Sequence, residues 1–341
     1  LWPNYSIEHE VMRMPGLKRK TKAIGAKRPR KQVGSRPIKR SRENSPAGSA
    51  QSERKAVPST ELAPVVKPWP KGKRCACLFT FDLDADVTWV HRGSDDPIAL
   101  SMGRYESKVG VPLLLNMLDE YGIKSTFFVP GWVAEKYTAT VDDILRRGHD
   151  VEHHGYLHEP PRTFKSRDEE EEALLKGIDV LKRLTGRRPR AYRSPFWEFS
   201  ANTIPLLEKH GFEYTGDLMD TLLPDYHVVD GRTTNMINLP GHWILDDLAH
   251  FYYHISARKT ILSCRQVLEL YQEEFHGIRA YGGLFTLTMH PQASGRPSRV
   301  LMLKQLIESV RSFSDVWITS PAELVDYWRK AHPVTSLAAA E

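Results

Sequence analysis

Two stretches hold the residues with most to offer chemically: FDLDADV at 81–87 and EHHGYLHEPP at 152–161. Side chains alternate along a strand, so a D-x-D pair at a strand end sends Asp82 and Asp84 to the same side, where both can reach one site. His154 and His158 are spaced H-x-x-x-H. On a helix that spacing shares one face, but Gly155 and the Pro160-Pro161 pair favour a loop in which the second ring returns toward the first. Two neutral imidazoles and one carboxylate leave open positions on a divalent ion, as a hydrolytic site needs in order to bind and acidify water. One aspartate is then enough as a ligand, and the other is free to act as a base. Asp86 reads as part of a solvated acidic turn and is left out of the site.

The elements that must position these residues alternate. CACLFTF, KSTFFVP, HDVEHH, RPRAYRSP, FEYTGDL, MINLPGHW, GLFTLTMH and VWIT read as buried strands. Between them VPLLLNMLDEYG, TVDDILRRG, SRDEEEEALLKGIDVLKRLTG, NTIPLLEKHG, TILSCRQVLELYQEEF and RVLMLKQLIESVRSF carry helical spacing, and PAELVDYWRKA follows the last strand. About seven of these strands alternate with helices, which implies parallel strands with helical crossovers, in a (β/α) barrel or an open sheet. Either architecture puts functional loops at the carboxyl ends of the strands. Unusual residues fall at that end five times: Asp82 with Asp84, His154 with His158, Arg193, Trp243 and His290.

A chain of 341 residues, 40% of them hydrophobic, can bury a core as one large domain or two small ones. It has no uninterrupted apolar run of membrane-spanning length and does not open on a basic-then-apolar signal, so a soluble, intracellular protein is expected. The odd set Cys75, Cys77 and Cys264 has no metal-cluster spacing and reads as inert core thiols. The net charge of +6 conceals an asymmetry: residues 17–55 hold fourteen Lys/Arg against two Glu, a local +12, which leaves −6 for the remainder. That segment has no aromatic residue and is rich in Ser, Pro and Gly, so residues 1–70 are expected to be a disordered basic tail preceding a catalytic domain at 71–335. Such a tail suits a nuclear-import address or nonspecific contact with a polyanion, or serves only as a solvated linker. The sequence leaves homo-oligomerisation open.

FTFDLDADVTWV, GHDVEHHGYLHE, YRSPFWEFS, LPGHWILDD and FTLTMHPQASGRP, in that order over residues 72–332, resemble the successive motifs of the polysaccharide deacetylase family with the NodB-homology fold (carbohydrate esterase family 4). The nearest resemblance is to its branch of peptidoglycan deacetylases, cyclic imidases and allantoinases. It implies a distorted (β/α) barrel, with Asp84, His154 and His158 as ligands of zinc or a similar divalent ion. It also implies Asp82 as general base, His290 as general acid and Arg193 as the group orienting the base. Leu83 separates the two aspartates as in the imidase-like branch, and His153 stands where the family commonly has Asn. The implied activity is hydrolysis of non-peptide C–N bonds, removing N-acetyl groups from a saccharide, with a small cyclic imide or ureide as the alternative substrate and a silent carbohydrate-binding module as the non-enzymatic one. Phe196, Trp197 and Trp243 are the candidates to wall a substrate groove. Asp246 and Asp247 either hold His290 in its acid form or cap a following helix.

Overall fold

The computed structural model describes residues 68–253 and 260–334. The basic segment expected to be disordered lies outside the described residues. Among the described residues nine strands form one sheet: β1 (Cys75–Asp82), β2 (Thr126–Val129), β3 (Asp150–His153), β4 (Ala191–Tyr192), β5 (Tyr214–Thr215), β6 (Asp225–Val229), β7 (Arg232–Asn238), β8 (Leu284–Met289) and β9 (Val316–Ile318). Their order is β6-β7-β5-β4-β3-β2-β1-β8, with β9 beside the start of β1. The pairings are parallel except for the β6–β7 hairpin, as helical crossovers require. The sequence pattern missed β6, which pairs with β7 across the tight Asp230-Gly231 turn. The ladder is not continuous around the barrel. Among the described residues the chain leaving β7 pairs with β8 at one isolated parallel bridge, Asp246 to Thr288.

β1 shows why the chemistry collects at one end. It is buried on both faces, as a central parallel strand must be. Cys75, Cys77, Phe79 and Phe81 point into the cluster that also holds Leu114, Leu118, Phe275 and Leu303 from the covering helices. Ala76 and Leu78 point the other way, onto Trp69, Tyr214, Ile237, Leu324 and Trp328. The next residues on that second face are Thr80 and Asp82, so it turns from apolar to polar as the strand runs toward its carboxyl end.

The helix Arg167–Thr185 follows its sequence signals closely. Ser166 accepts the N–H of Glu169 as its N-cap, Asp168, Glu169 and Glu170 occupy the positive end of the helix dipole, and Gly186 ends it at φ 75°. Less expected is the helix Pro97–Tyr105, which runs into a π-helical turn at Glu106–Gly110. Trp69, on the tail side of the expected boundary, is packed: its indole N–H donates to the Gly282 carbonyl at 2.7 Å and its ring lies 5.5 Å from that of Trp328. Cys75 and Cys77 are core thiols, and burial pushes the Cys75 thiol up to about 12. Cys264 is not in the core but half-buried at the start of the helix Cys264–Tyr281. Among the described residues no helix is long and apolar enough to cross a membrane.

Candidate active site and metal centre

Asp84, His154 and His158 converge. Asp84 Oδ1 lies 3.5 Å from His154 Nε2 and 3.4 Å from His158 Nε2, and all three residues are buried. The histidine segment is a loop: Gly155 has φ 74° and His158 φ 59°, which folds the second ring back to 4.9 Å from the first. His154 Nδ1 is 2.8 Å from the Arg193 carbonyl. A carbonyl only accepts, so Nδ1 carries the proton and Nε2 presents a lone pair. Burial holds the His154 ring down to about 4 and that of His158 to about 3, so both are neutral. A bare imidazole nitrogen therefore faces a carboxylate oxygen that has no hydrogen-bond partner among the described residues. Two acceptors in contact are stable with a cation between them, and two imidazoles with one carboxylate are the donor set of an open divalent site.

Asp82 lies beside this group with its two oxygens differently engaged. Oδ1 accepts from Arg193 Nη1 at 2.7 Å, and Oδ2 lies 3.9 Å from both His154 Nε2 and His290 Nε2. Burial raises the Asp82 carboxyl, but the Arg193 guanidinium, together with the His290 ring, outweighs it and holds the group below the ordinary range. Arg193 is itself buried, donates Nη2 to Thr80 Oγ1 at 3.0 Å and lies 4.2 Å over the Phe128 ring. Gly216 leaves it room: a Cβ there would sit 3.1 Å from Nη2.

His290 faces the site from β8. Its Nδ1 donates to Asp247 Oδ1 at 2.8 Å, while Asp247 Oδ2 accepts from the His290 N–H, the Ser294 N–H and the Ser294 hydroxyl. Burial opposes a proton on His290. Asp246, the Asp247 hydrogen bond and Asp84 overcome it and push the ring well above its usual value. The two alternatives for the acidic pair thus divide between them: Asp247 holds His290, and Asp246 accepts from Leu248 N at 2.8 Å, at the start of the helix Leu248–Phe251.

The aromatic candidates lie around this centre. The Phe196 ring is 4.7 Å from His158, edge to face, and Trp197 packs 4.6 Å from Trp243, which is 39% exposed. Phe196 and Trp197 both have positive φ, at 60° and 52°. Asp86 departs from expectation. It is fully buried, accepting from Lys136 Nζ at 2.8 Å and the Tyr137 hydroxyl at 2.9 Å, because the strand end turns it inward beneath the helix Gly131–Lys136. His153 points away from the site: its Nε2–H donates to the Leu174 carbonyl at 3.1 Å and its Nδ1 accepts from Gly155 N at 3.0 Å, tying the histidine loop to the helix behind it.

Sequence reasoning missed a set of buried carboxylates that brace backbone next to these groups. Glu106 accepts from Ala85 N at 2.7 Å, Glu152 from Arg190 N and Ala191 N at 2.6 and 2.9 Å, and Asp217 from Ser194 N at 2.7 Å. Each partner lies far along the chain, so no local motif marks them.

A family model described as polysaccharide deacetylase matches residues 95–215. A peptidoglycan deacetylase of Helicobacter pylori is 30% identical over 290 residues, covering 76% of this chain and 98% of the relative. A crystal structure from Mycobacterium smegmatis, titled as a candidate polysaccharide deacetylase, is similar with a TM-score of 0.73 and 36% identity, over 77% of this chain and 92% of that one. Puue allantoinase shares the fold at a TM-score of 0.69 and 21% identity, over 83% of this chain and 99% of that one. With the Helicobacter relative covered almost end to end, the chain belongs to the polysaccharide deacetylase family.

Proposed function

We propose that the protein is a metal-dependent hydrolase that removes N-acetyl groups from a chitin- or peptidoglycan-like saccharide. Asp84, His154 and His158 would hold the divalent ion, zinc by the nitrogen-rich donor set. When bound, such an ion supplies Lewis acidity, polarising an amide carbonyl and lowering the pKa of water. Asp82 takes the proton from water on its free Oδ2, since Arg193 occupies Oδ1 and keeps the group ionised. His290 gives a proton to the departing nitrogen from Nε2, because Asp247 holds Nδ1. Trp197 and Trp243 offer ring faces on which a sugar can pack.

One observation carries this reading: a carboxylate held low and an imidazole held high face each other at 3.9 Å beside the ligand group. Groups pushed apart in this way are the mark of a base and an acid sharing one reaction. The test is parallel turnover of N-acetylated chitin and peptidoglycan oligomers and of succinimide- and allantoin-type rings by zinc-loaded protein. Acetate release supports the proposal. Ring opening without acetate release would keep the mechanism and replace the substrate class, and turnover of neither would sink it.

A further inference from the structure

We infer that Glu106 is a positioning residue: it locks the turn carrying Asp84 to the turn that follows His290, and so sets how tightly Asp84, His154 and His158 hold a divalent ion. The inference rests on the metal-centre reading above. Glu106 is fully buried at the start of the π-helical turn Glu106–Gly110. One carboxyl oxygen accepts from Ala85 N at 2.7 Å and the other from Gln292 N at 3.4 Å. Ala85 directly follows Asp84 and Gln292 lies two residues after His290, so one side chain spans the two turns.

The backbone around Glu106 is built for that reach. A Cβ on Gly103 would fall 2.3 Å from the Ala85 carbonyl oxygen, and one on Gly110 would fall 2.4 Å from that of Pro291. Bare backbone is thus pressed against each turn, with Glu106 midway between the two glycines. The Tyr105 hydroxyl adds a hydrogen bond to the Gly295 carbonyl at 3.1 Å, just beyond the second turn. A π turn inside a helix is an irregularity frequent at functional sites, and here it aims a carboxyl at backbone N–H groups rather than at a cation.

The consequence runs through Ala85. It is held at φ 47°, a conformation that L-residues rarely keep without external support. Without the Glu106 acceptor, the buried Ala85 N–H loses its partner and the residue can relax toward negative φ. That relaxation rotates the adjoining Asp84 carboxylate away from the two imidazoles.

Metal-free protein titrated with zinc against a chromogenic chelator tests this, using wild type, Glu106→Ala, Glu106→Asp, Glu106→Gln and Glu170→Ala. Glu170 is a second buried carboxylate whose partners, Ser200 and Thr203, lie outside the site. Glu106→Ala is expected to weaken zinc binding about 10- to 100-fold, the range for groups that orient a metal ligand. Glu106→Asp, one methylene short of spanning both turns, shares the loss. Glu106→Gln keeps an oxygen for Ala85 N but turns an amide N–H toward the Gln292 N–H, so its affinity is expected to fall between those of Glu106→Ala and wild type, and Glu170→Ala lowers Tm without changing zinc affinity. Wild-type affinity in folded Glu106→Ala or Glu106→Asp would overturn the inference, as would an equal loss in Glu170→Ala. Should Glu106→Ala not fold, the Asp and Gln variants decide. Wild-type protein that takes up no zinc would sink the metal-centre reading, and this inference with it.

Discussion

Arg193 gives its Nη1 to Asp82 Oδ1 at 2.7 Å, although the two residues are 111 positions apart and both buried. The pair leaves Asp82 one free oxygen, directed at His154 and His290. Asp82→Asn is therefore expected to retain bound metal and lose about 100- to 10,000-fold in turnover. Elemental analysis beside steady-state kinetics checks this, and loss of the metal would instead exchange the roles of Asp82 and Asp84. Arg193→Met strands a buried carboxylate and should cost about 3–5 kcal/mol in denaturant unfolding.

His154→Ala and His158→Ala each remove one of the three donors proposed to hold the ion. Either is expected to abolish stoichiometric metal in the purified protein, because two donors are too few to hold it. A double variant that keeps one equivalent would place the metal elsewhere.

Gly177 lies against His153, and a Cβ there would fall 2.2 Å from Nε2, inside van der Waals contact. Gly177→Ala must displace the ring and with it the Leu174 and Gly155 hydrogen bonds that anchor the histidine loop. Overpacking of this kind costs about 1–3 kcal/mol. The expected signature is a lowered thermal midpoint together with weaker metal binding, since the displaced ring adjoins His154.

Asp217 gives a pH dependence of known sign. Burial pushes its carboxyl up to about 7, against an ordinary value of 3.8, despite the Ser194 N–H it accepts. The folded state therefore holds a proton that the unfolded chain releases, and the contribution of Asp217 to stability falls as pH rises from about 4 to about 7 and levels off above. Asp217→Asn removes that loss. Its thermal midpoint relative to wild type should climb across the window and then stay flat, and a difference independent of pH would show that Asp217 titrates normally.

Alternation of strands and helices is legible in the amino-acid order alone, because parallel strands buried on both faces must be apolar throughout and their crossovers must show helical periodicity. The same order set the capping of the helix Arg167–Thr185, where Ser166, the acidic first turn and Gly186 act within a few residues of one another. It also marked Asp82, Asp84, His154, His158, Arg193 and His290, since polar residues at the ends of apolar strands stand out locally. Tertiary structure alone decided what surrounds each of them. Asp86 is one residue from the turn that holds Asp84 and looks solvated on the page, yet Lys136 and Tyr137 close over it. Asp246 and Asp247 are adjacent and of one type, and only their approach to β8 gives one to His290 and the other to a helix start. Glu106, Asp217 and Glu152 escaped notice because their work is to accept N–H groups from distant segments. The charge states of Asp82, His154, His158 and His290 were settled the same way, by burial and by partners that the chain brings together only when it folds.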